Sequence, residues 1–362
     1  MQPGASFWSG RRVLVTGHTG FKGSWLCLWL NSLGAQVAGY SDCVPTSPSH
    51  FELARIAELL AKDFRSDICS KDAVWRAIND FDPEFVFHLA AQPIVAIGYQ
   101  HPARTFEVNF NGTLNLLDAV RERRAPVVVV VVTSDKCYST AAGEVSFRET
   151  DPMGGLDPYS ASKGVAELLC TSYRSSYFSA ADSVVRLATV RAGNVIGGGD
   201  WAANRLIPDA VRQLCGGRPL TLRNPDAIRP WQHVLEPLGG YLQLAQRAAS
   251  PDGSEFSGAW NFGPLASDAV TVQTVANWFV QHWGSGEVQV DRAQSIGHET
   301  SVLRLSIDKA LAWLNWKPVW NVQEAVRRTA FWYRDAVRSA GCDVRSRSLA
   351  DISDFISAAG GR

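Results

Sequence analysis

The stretch Thr16-Gly17-His18-Thr19-Gly20-Phe21-Lys22-Gly23 constrains this chain more than any other part of it. It follows a short apolar run at 12–16 and opens an apolar, helix-period segment at 24–33 that Gly34 stops. Glycine is about 7% of average sequence, so Gly-x-x-Gly-x-x-Gly arises by chance in roughly one chain in ten of this length. Spacing alone therefore decides little. Placement between a strand and a helix decides more, because such glycines let the backbone turn tightly and approach a pyrophosphate held at the helix N-terminus.

The unit does not stand alone. Apolar runs at 36–40, 84–90, 127–133 and 184–191 alternate with helical periods at 51–60, 73–79 and 103–123, the beat of a doubly wound parallel sheet. Val127 to Val132 reads as a strand buried on both faces. As the longest apolar run, it falls far short of the roughly 20 residues a membrane helix needs. The predicted fold class is α/β, a Rossmann-type doubly wound parallel sheet with a smaller C-terminal substrate-binding lobe. After Asn194 the texture changes to Gly197-Gly198-Gly199-Asp200-Trp201 and then to proline-punctuated segments. We place a dinucleotide-binding domain at 1–194 and a second lobe mainly at 195–345, some of whose elements can return to the first domain. Amphipathic helices are expected at 272–283, 308–315 and 322–338, and a polar, peripheral tail at 346–362.

Charge narrows the function classes. Thirty-five basic residues balance thirty-five acidic ones, which argues against a nucleic-acid binder. Residues 1–8 show no basic cluster ahead of an apolar stretch, so no secretory signal is read and a cytoplasmic protein is expected, with no membrane partner. Seven scattered cysteines form no Cys-x-x-Cys pair, so free, mostly buried thiols and no metal site are expected.

Tyr159-x-x-x-Lys163 puts a phenol and an amine one helical turn apart. An ammonium beside a phenol favours the phenolate, so the tyrosine becomes a usable base near neutral pH. Such a pair is common on exposed helices. It gains weight because Thr133-Ser134-Asp135-Lys136 follows the valine strand, at the carboxyl end where open α/β sheets place their chemistry.

Glycine loop, Tyr-x-x-x-Lys and strand-end triplet together resemble the extended short-chain dehydrogenase/reductase family. Further blocks resemble its sugar-nucleotide dehydratase branch, and within that the CDP-glucose 4,6-dehydratases: Asp157-Pro158-Tyr159-Ser160, the run Val190 to Trp201, Arg229-Pro230-Trp231-Gln232-His233-Val234 and Trp260-Asn261-Phe262-Gly263. The resemblance implies NAD as cofactor, held by Gly17, His18, Gly20, Phe21, Lys22 and Gly23. Asp67 and Ile68 would bracket the adenine, although Asp67 also reads as a helix cap. Ala90, Ala91, Gln92 and Asn109 would border the crevice, with Tyr159 and Lys163 at the nicotinamide ribose. NAD is favoured over NADP, yet the second strand ends Gly39-Tyr40-Ser41-Asp42, which leaves the usual ribose-binding acid undefined.

The implied chemistry is redox-neutral. Tyr159 takes the C4 hydroxyl proton as hydride leaves, water is eliminated across C5 and C6, and hydride returns to C6. A 4-keto group acidifies C5, so elimination needs a base there and an acid at the C6 hydroxyl. Ser134, Asp135 and Lys136 stand where these are needed, with Lys136 as base and Asp135 as acid, although a plain ion pair between the last two would oppose both roles. Asn194, Arg205, Arg229, Arg292 and His298 are expected at the CDP-glucose substrate, where guanidinium forks suit a pyrophosphate. Two alternatives remain at this level: a nucleotide-sugar 4-epimerase, which needs no acid and base beyond Ser134, and a non-catalytic NAD-binding module. The resemblance also implies deoxysugar synthesis for surface polysaccharide such as lipopolysaccharide O-antigen. It implies as well a homodimer, or a tetramer built from it, formed by helices at 103–123 and 159–175 with Leu114, Leu117, Leu168 and Leu169 at the contact.

Overall fold

The computed structural model describes residues 5–139, 146–179, 183–291, 304–338 and 341–360. Seven strands form one sheet: β1 (Arg12–Thr16), β2 (Gln36–Ser41), β3 (Lys62–Arg65), β4 (Phe85–His88), β5 (Val127–Val132), β6 (Val185–Ala192) and β7 (Gly258–Phe262). Their order is β7-β6-β5-β4-β1-β2-β3, and every neighbouring pair is parallel. The order reverses next to β1, where a doubly wound sheet opens its ligand crevice. All six valines of β5 are buried, as the central strand of a sheet covered on both faces requires. One apolar cluster lies on each face, the first built around Trp25, Trp29 and Trp260, the second around Leu14, Val129 and Leu117.

Seven helices matter below: α1 (Phe21–Ser32), α2 (Lys71–Phe81), α3 (Gly112–Arg123), α4 (Pro158–Tyr177), α5 (Leu235–Ala248), α6 (Val322–Arg338) and α7 (Val344–Gly360). Asp157 starts α4 by accepting from the Ser160 amide at 3.0 Å, with Pro158 at the first helical position. The second lobe does return to the sheet, because Trp260 in β7 pairs in register with Val190.

Three expectations are corrected. The helix read at 51–60 is broken, since Arg55 takes a left-handed conformation between His50–Leu53 and a tight turn at Ile56–Leu59. The helix read at 103–123 is Pro102–Phe106 followed by a widened π turn, Glu107–Asn111, and then α3. The tail is not peripheral: α7 buries Val344, Ile352 and Phe355, with the Phe355 ring edge-on to Trp29 at 5.7 Å and to Trp320 at 5.0 Å. Asp351 in α7 is buried and binds Arg328 and Arg347 at 3.1 and 3.0 Å.

No helix among the described residues is long and apolar enough to cross a membrane. Three thiols, Cys27, Cys137 and Cys170, are buried, whereas Cys43 and Cys215 are exposed.

Candidate active site

The glycine loop is built around close approach. Gly17 has a positive φ of 70°, and a Cβ there would lie 2.7 Å from the Ala90 amide nitrogen. A Cβ on Gly23 would overlap the Gly17 carbonyl, so α1 packs directly on the turn. Gly20 caps α1 in extended conformation with no side chain in the way. These gaps suit a pyrophosphate at the free amides of the helix N-terminus, which is the fit a dinucleotide requires. His18 contributes backbone to this cradle, for its ring is fully buried against Gly39 and Phe51, with Nε2 3.0 Å from Asp63 Oδ1. Burial lowers its pKa to about 4, so the ring is neutral.

Around the loop, several named residues serve as scaffold. Asp67 does not cap α2, whose N-cap is Ser70. Its Oδ1 accepts from the Cys69 amide at 2.9 Å in a local turn and its Oδ2 from Arg104 at 2.6 Å, and burial, which raises its pKa, is outweighed by these bonds. Ile68 is buried beneath Gly112, and its carbonyl accepts from Asn115 at 3.1 Å. Asn109 sits in the π turn, where Oδ1 takes the Gln92 amide at 2.8 Å and Nδ2 donates to the Gln92 carbonyl at 3.2 Å and to Ser162 Oγ at 2.8 Å. Ser162 in turn donates to the Tyr159 carbonyl at 2.7 Å. The π turn thus fastens the segment Ala90-Ala91-Gln92 to the helix that carries the catalytic pair.

Ser134, Asp135, Tyr159 and Lys163 are all buried at the carboxyl end of β5. Ser134 faces the Tyr159 hydroxyl and donates to Asp135 Oδ1 at 3.0 Å. Burial raises Tyr159 to about 12, with the Ser134 hydrogen bond and the nearby Arg205 charge pulling it down. Burial lowers Lys163 to about 8, and Glu167 is the strongest charge opposing that drop. Lys163 Nζ donates to the Val132 carbonyl at 3.3 Å. Asp135 is fully buried and its pKa is raised by desolvation, against the opposing charge of Lys136; Oδ2 has no partner. Among the described residues no ion pair of 4 Å or less joins Asp135 to Lys136, although the Lys136 charge still acts to lower the Asp135 pKa.

Lys22, read as a holder of the cofactor, also lies close to the catalytic charges. Burial lowers it to about 8, and the charges around it are Arg205, Asp135, Lys163 and Asp200, so it stands among the reacting groups. Arg205 pairs with Asp200 at 2.9 Å on the loop after Asn194, whose carbonyl accepts from the Gln232 amide at 3.0 Å. Arg229 lies on the short strand Ile228–Arg229 paired to Val270–Thr271, and its charge reaches Asp135. Arg292 and His298 fall outside the described residues.

Sequence reasoning missed Glu167. Fully buried one turn beyond Lys163, it takes both arms of Arg191 at 2.8 Å, the Thr133 hydroxyl at 2.5 Å and the Thr189 hydroxyl at 2.7 Å. Arg191 goes on to Tyr138 at 2.6 Å, and Tyr138 to Asn261 at 2.7 Å. The signal was available as a third member of the stripe Tyr159, Lys163, Glu167 at steps of four.

A parallel sheet whose first turn accepts a dinucleotide, and whose middle strand presents Ser134 to a Tyr/Lys helix, is the arrangement of an extended short-chain dehydrogenase/reductase. The match to GDP-mannose 4,6 dehydratase over residues 14–329 makes the family definite: the chain belongs to it. It is 46% identical over 98% of both chains to CDP-glucose 4,6-dehydratase of Salmonella typhimurium. Among solved structures, UDP-glucose 4-epimerase of Thermus thermophilus, a complex with NAD, is 28% identical with a TM-score of 0.73, covering 90% of this chain and 100% of that one. The dTDP-glucose 4,6-dehydratase of Bacillus anthracis shares the fold at 19% identity and a TM-score of 0.74, over 91% and 98% of the two chains.

Proposed function

We propose that this chain is a hydro-lyase that converts CDP-D-glucose to CDP-4-dehydro-6-deoxy-D-glucose with NAD as a recycled cofactor. The observation that carries the reading is Asp135, buried, with its pKa raised by desolvation and one oxygen unpartnered, next to Lys136 in the crevice of Tyr159. A 4-epimerase has no use for that acid and base. The identity to the Salmonella enzyme over nearly the whole of both chains supports the same choice.

Bound NAD supplies one thing, a hydride acceptor that later gives the hydride back. The protein supplies the rest. Ser134 orients Tyr159, which acts as the phenolate: against the rise that burial imposes stand the Ser134 hydrogen bond and the Arg205 charge. The phenolate takes the proton of the C4 hydroxyl as that carbon is oxidised, and Ser134 relays that proton to the Asp135 carboxylate after elimination. Lys163, held by the Val132 carbonyl, lies one turn away to bind the nicotinamide ribose. With C5 acidified by the new ketone, Lys136 removes its proton; Asp135 gives a proton to the C6 hydroxyl, and water departs. Lys136 then returns a proton to C5 as hydride reaches C6. Arg205 and Arg229 meet the substrate pyrophosphate from the second lobe.

The setting we propose is the cytoplasm, in deoxysugar synthesis for surface polysaccharide, as a homodimer. Exposed Leu168 and Tyr177 on α4 support that contact, together with partly buried Leu114 and Leu169. Leu117 does not, because it is fully buried in the chain's own core. The test is to incubate purified protein with CDP-glucose and with UDP-, dTDP- and GDP-hexoses and to identify products by NMR. A 4-keto-6-deoxy product from CDP-glucose is expected; a C4-epimerised hexose, or turnover confined to another nucleotide, overturns the reading.

A further inference from the structure

His50 lies outside the catalytic group, yet it is buried with both ring nitrogens hydrogen-bonded. Its ring is stacked on Trp25 at 4.8 Å with 2° between the planes and leans on Trp332 at 5.9 Å. Nδ1 is 2.8 Å from Ser24 Oγ in the first turn of α1, and Nε2 is 3.0 Å from Ser348 Oγ in α7. The protons run in one direction only. Ser24 donates to the Phe21 carbonyl at 2.9 Å, so the hydrogen between Ser24 and His50 belongs to Nδ1. Trp332 Nε1 donates to Ser348 Oγ at 3.0 Å, which leaves the Ser348 hydrogen for His50 Nε2. The chain Trp332, Ser348, His50, Ser24, Phe21 is closed, with every donor used once. Burial keeps the imidazole neutral, as this chain requires.

The same stack carries the substrate loop. Trp25 Nε1 donates to the Gly198 carbonyl at 2.8 Å, a side chain at Gly198 would run into the Trp332 ring, and one at Gly199 would meet His50 Cβ at 2.5 Å. The next residue, Asp200, offers its carbonyl to the Tyr333 hydroxyl and its carboxylate to Arg205. One imidazole therefore touches three things: the helix behind the glycine loop, the loop that aims Arg205, and the C-terminal helix.

We infer that His50 is a positioning residue through which α7 fixes the spacing between the cofactor cradle and the substrate loop. Ligand-holding geometry then depends on a hydrogen bond 298 residues apart in sequence. Ser348→Ala, the smallest change that opens the chain, removes the acceptor of Trp332 and the donor to His50. His50→Leu keeps apolar bulk against Trp25 and removes both ring nitrogens.

Hydrogen exchange on each purified variant is the first readout. Faster exchange is expected in 344–360 and also in the amides of 197–201 and 21–24. The second readout, which rests on the proposed activity, is steady-state kinetics with CDP-glucose: KM should rise about two- to tenfold, the range of one hydrogen bond, while kcat stays within about twofold. Because the two residues act in one chain, the double variant should have nearly the KM of the worse single variant. Faster exchange confined to 344–360, unchanged exchange everywhere, or multiplying KM effects would overturn the inference. An inactive wild-type protein would count against the proposed function alone, since the exchange result stands without turnover.

Discussion

Glu167→Gln is the substitution whose consequences the structure specifies most fully. Glu167 and Arg191 are 1% and 3% exposed in their side chains, and the pair is held by two charge-assisted bonds of 2.8 Å. Removing one partner of such a pair costs about 3–5 kcal/mol, because the other charge stays desolvated and unopposed. The amide adds a second fault, for whichever oxygen becomes NH2 meets an Arg191 nitrogen together with one threonine hydroxyl, Nε and Thr133 at Oε1 or Nη2 and Thr189 at Oε2. Against a typical total stability of about 5–15 kcal/mol, this is a large fraction. Urea unfolding followed by tryptophan fluorescence should show the midpoint well below that of the parent. Glu167 is also the main charge keeping Lys163 from falling further than about 8. The variant's Lys163 should therefore lose its proton at lower pH, moving the alkaline limb of kcat/KM in the acid direction. The double variant Glu167→Met/Arg191→Met should recover much of the stability, since apolar replacement of a buried pair is often neutral, but not the position of the alkaline limb. A Glu167→Gln protein within about 1 kcal/mol of the parent, by the same measure, would refute the claim that the pair is desolvated.

Three other outcomes are expected. Lys136→Ala should oxidise C4 yet fail to eliminate, so that reduced nicotinamide accumulates, solvent deuterium does not enter C5, and turnover drops at least about 10²-fold; near-parental deuterium incorporation would return Lys136 to a structural role. The parent is expected to retain NAD and release it on denaturation, and Gly23→Ala, which forces a methyl into the Gly17 carbonyl, should abolish that release, a difference read by chromatography of the extract. Burial lowers His50, His88 and His233 to about 3 and His18 to about 4, against 6.5 when unfolded. The unfolded chain thus binds more protons between these values, and stability should fall from about pH 6.5 downward, by up to about 1.4 kcal/mol per pH unit for each ring; an unfolding midpoint that holds or rises from pH 7.5 to 5 contradicts this.

What was legible in the sequence is what short-range pattern encodes. Glycines at steps of three, six consecutive valines and a Tyr/Lys pair at a step of four each carry their geometry within one turn or one strand, and the structure gathers them at the carboxyl edge of the sheet. The rest depends on partners remote in the chain. Asp67 is held by Arg104, 37 residues on, and nothing beside Asp67 announces an arginine. The π turn at Glu107–Asn111 looks like ordinary helix in sequence, since one extra residue per turn leaves the apolar period almost unchanged. The last helix is polar on most of its surface, and its buried apolar residues Val344, Ile352 and Phe355, at helical steps of eight and three, are a sparse mark of the face that docks. Arg345 then reaches back to Glu58 at 2.8 Å, a pairing no local rule anticipates.

The charges of the crevice explain why the acid and the base need not neutralise each other. Lys22, Lys163 and Arg205 stand there as buried or largely buried cations, against Asp135 and Asp200, and Asp200 is already bound to Arg205. The protein's own groups are thus short of negative charge at the place where two pyrophosphates, those of a dinucleotide and of a nucleotide sugar, would bring it. Desolvation answers the excess by pulling both lysines down to about 8 and Asp135 upward from the usual carboxylate range. An anionic ligand reverses the first effect by restoring charge to Lys22 and Lys163, while Asp135, with Oδ2 unpartnered, keeps its burial as the dominant influence. Groups whose surroundings drive them apart in this way can act as acid and base at one pH. The elimination proposed above requires Asp135 to keep Oδ2 available, and among the described residues no ion pair of 4 Å or less joins it to Lys136.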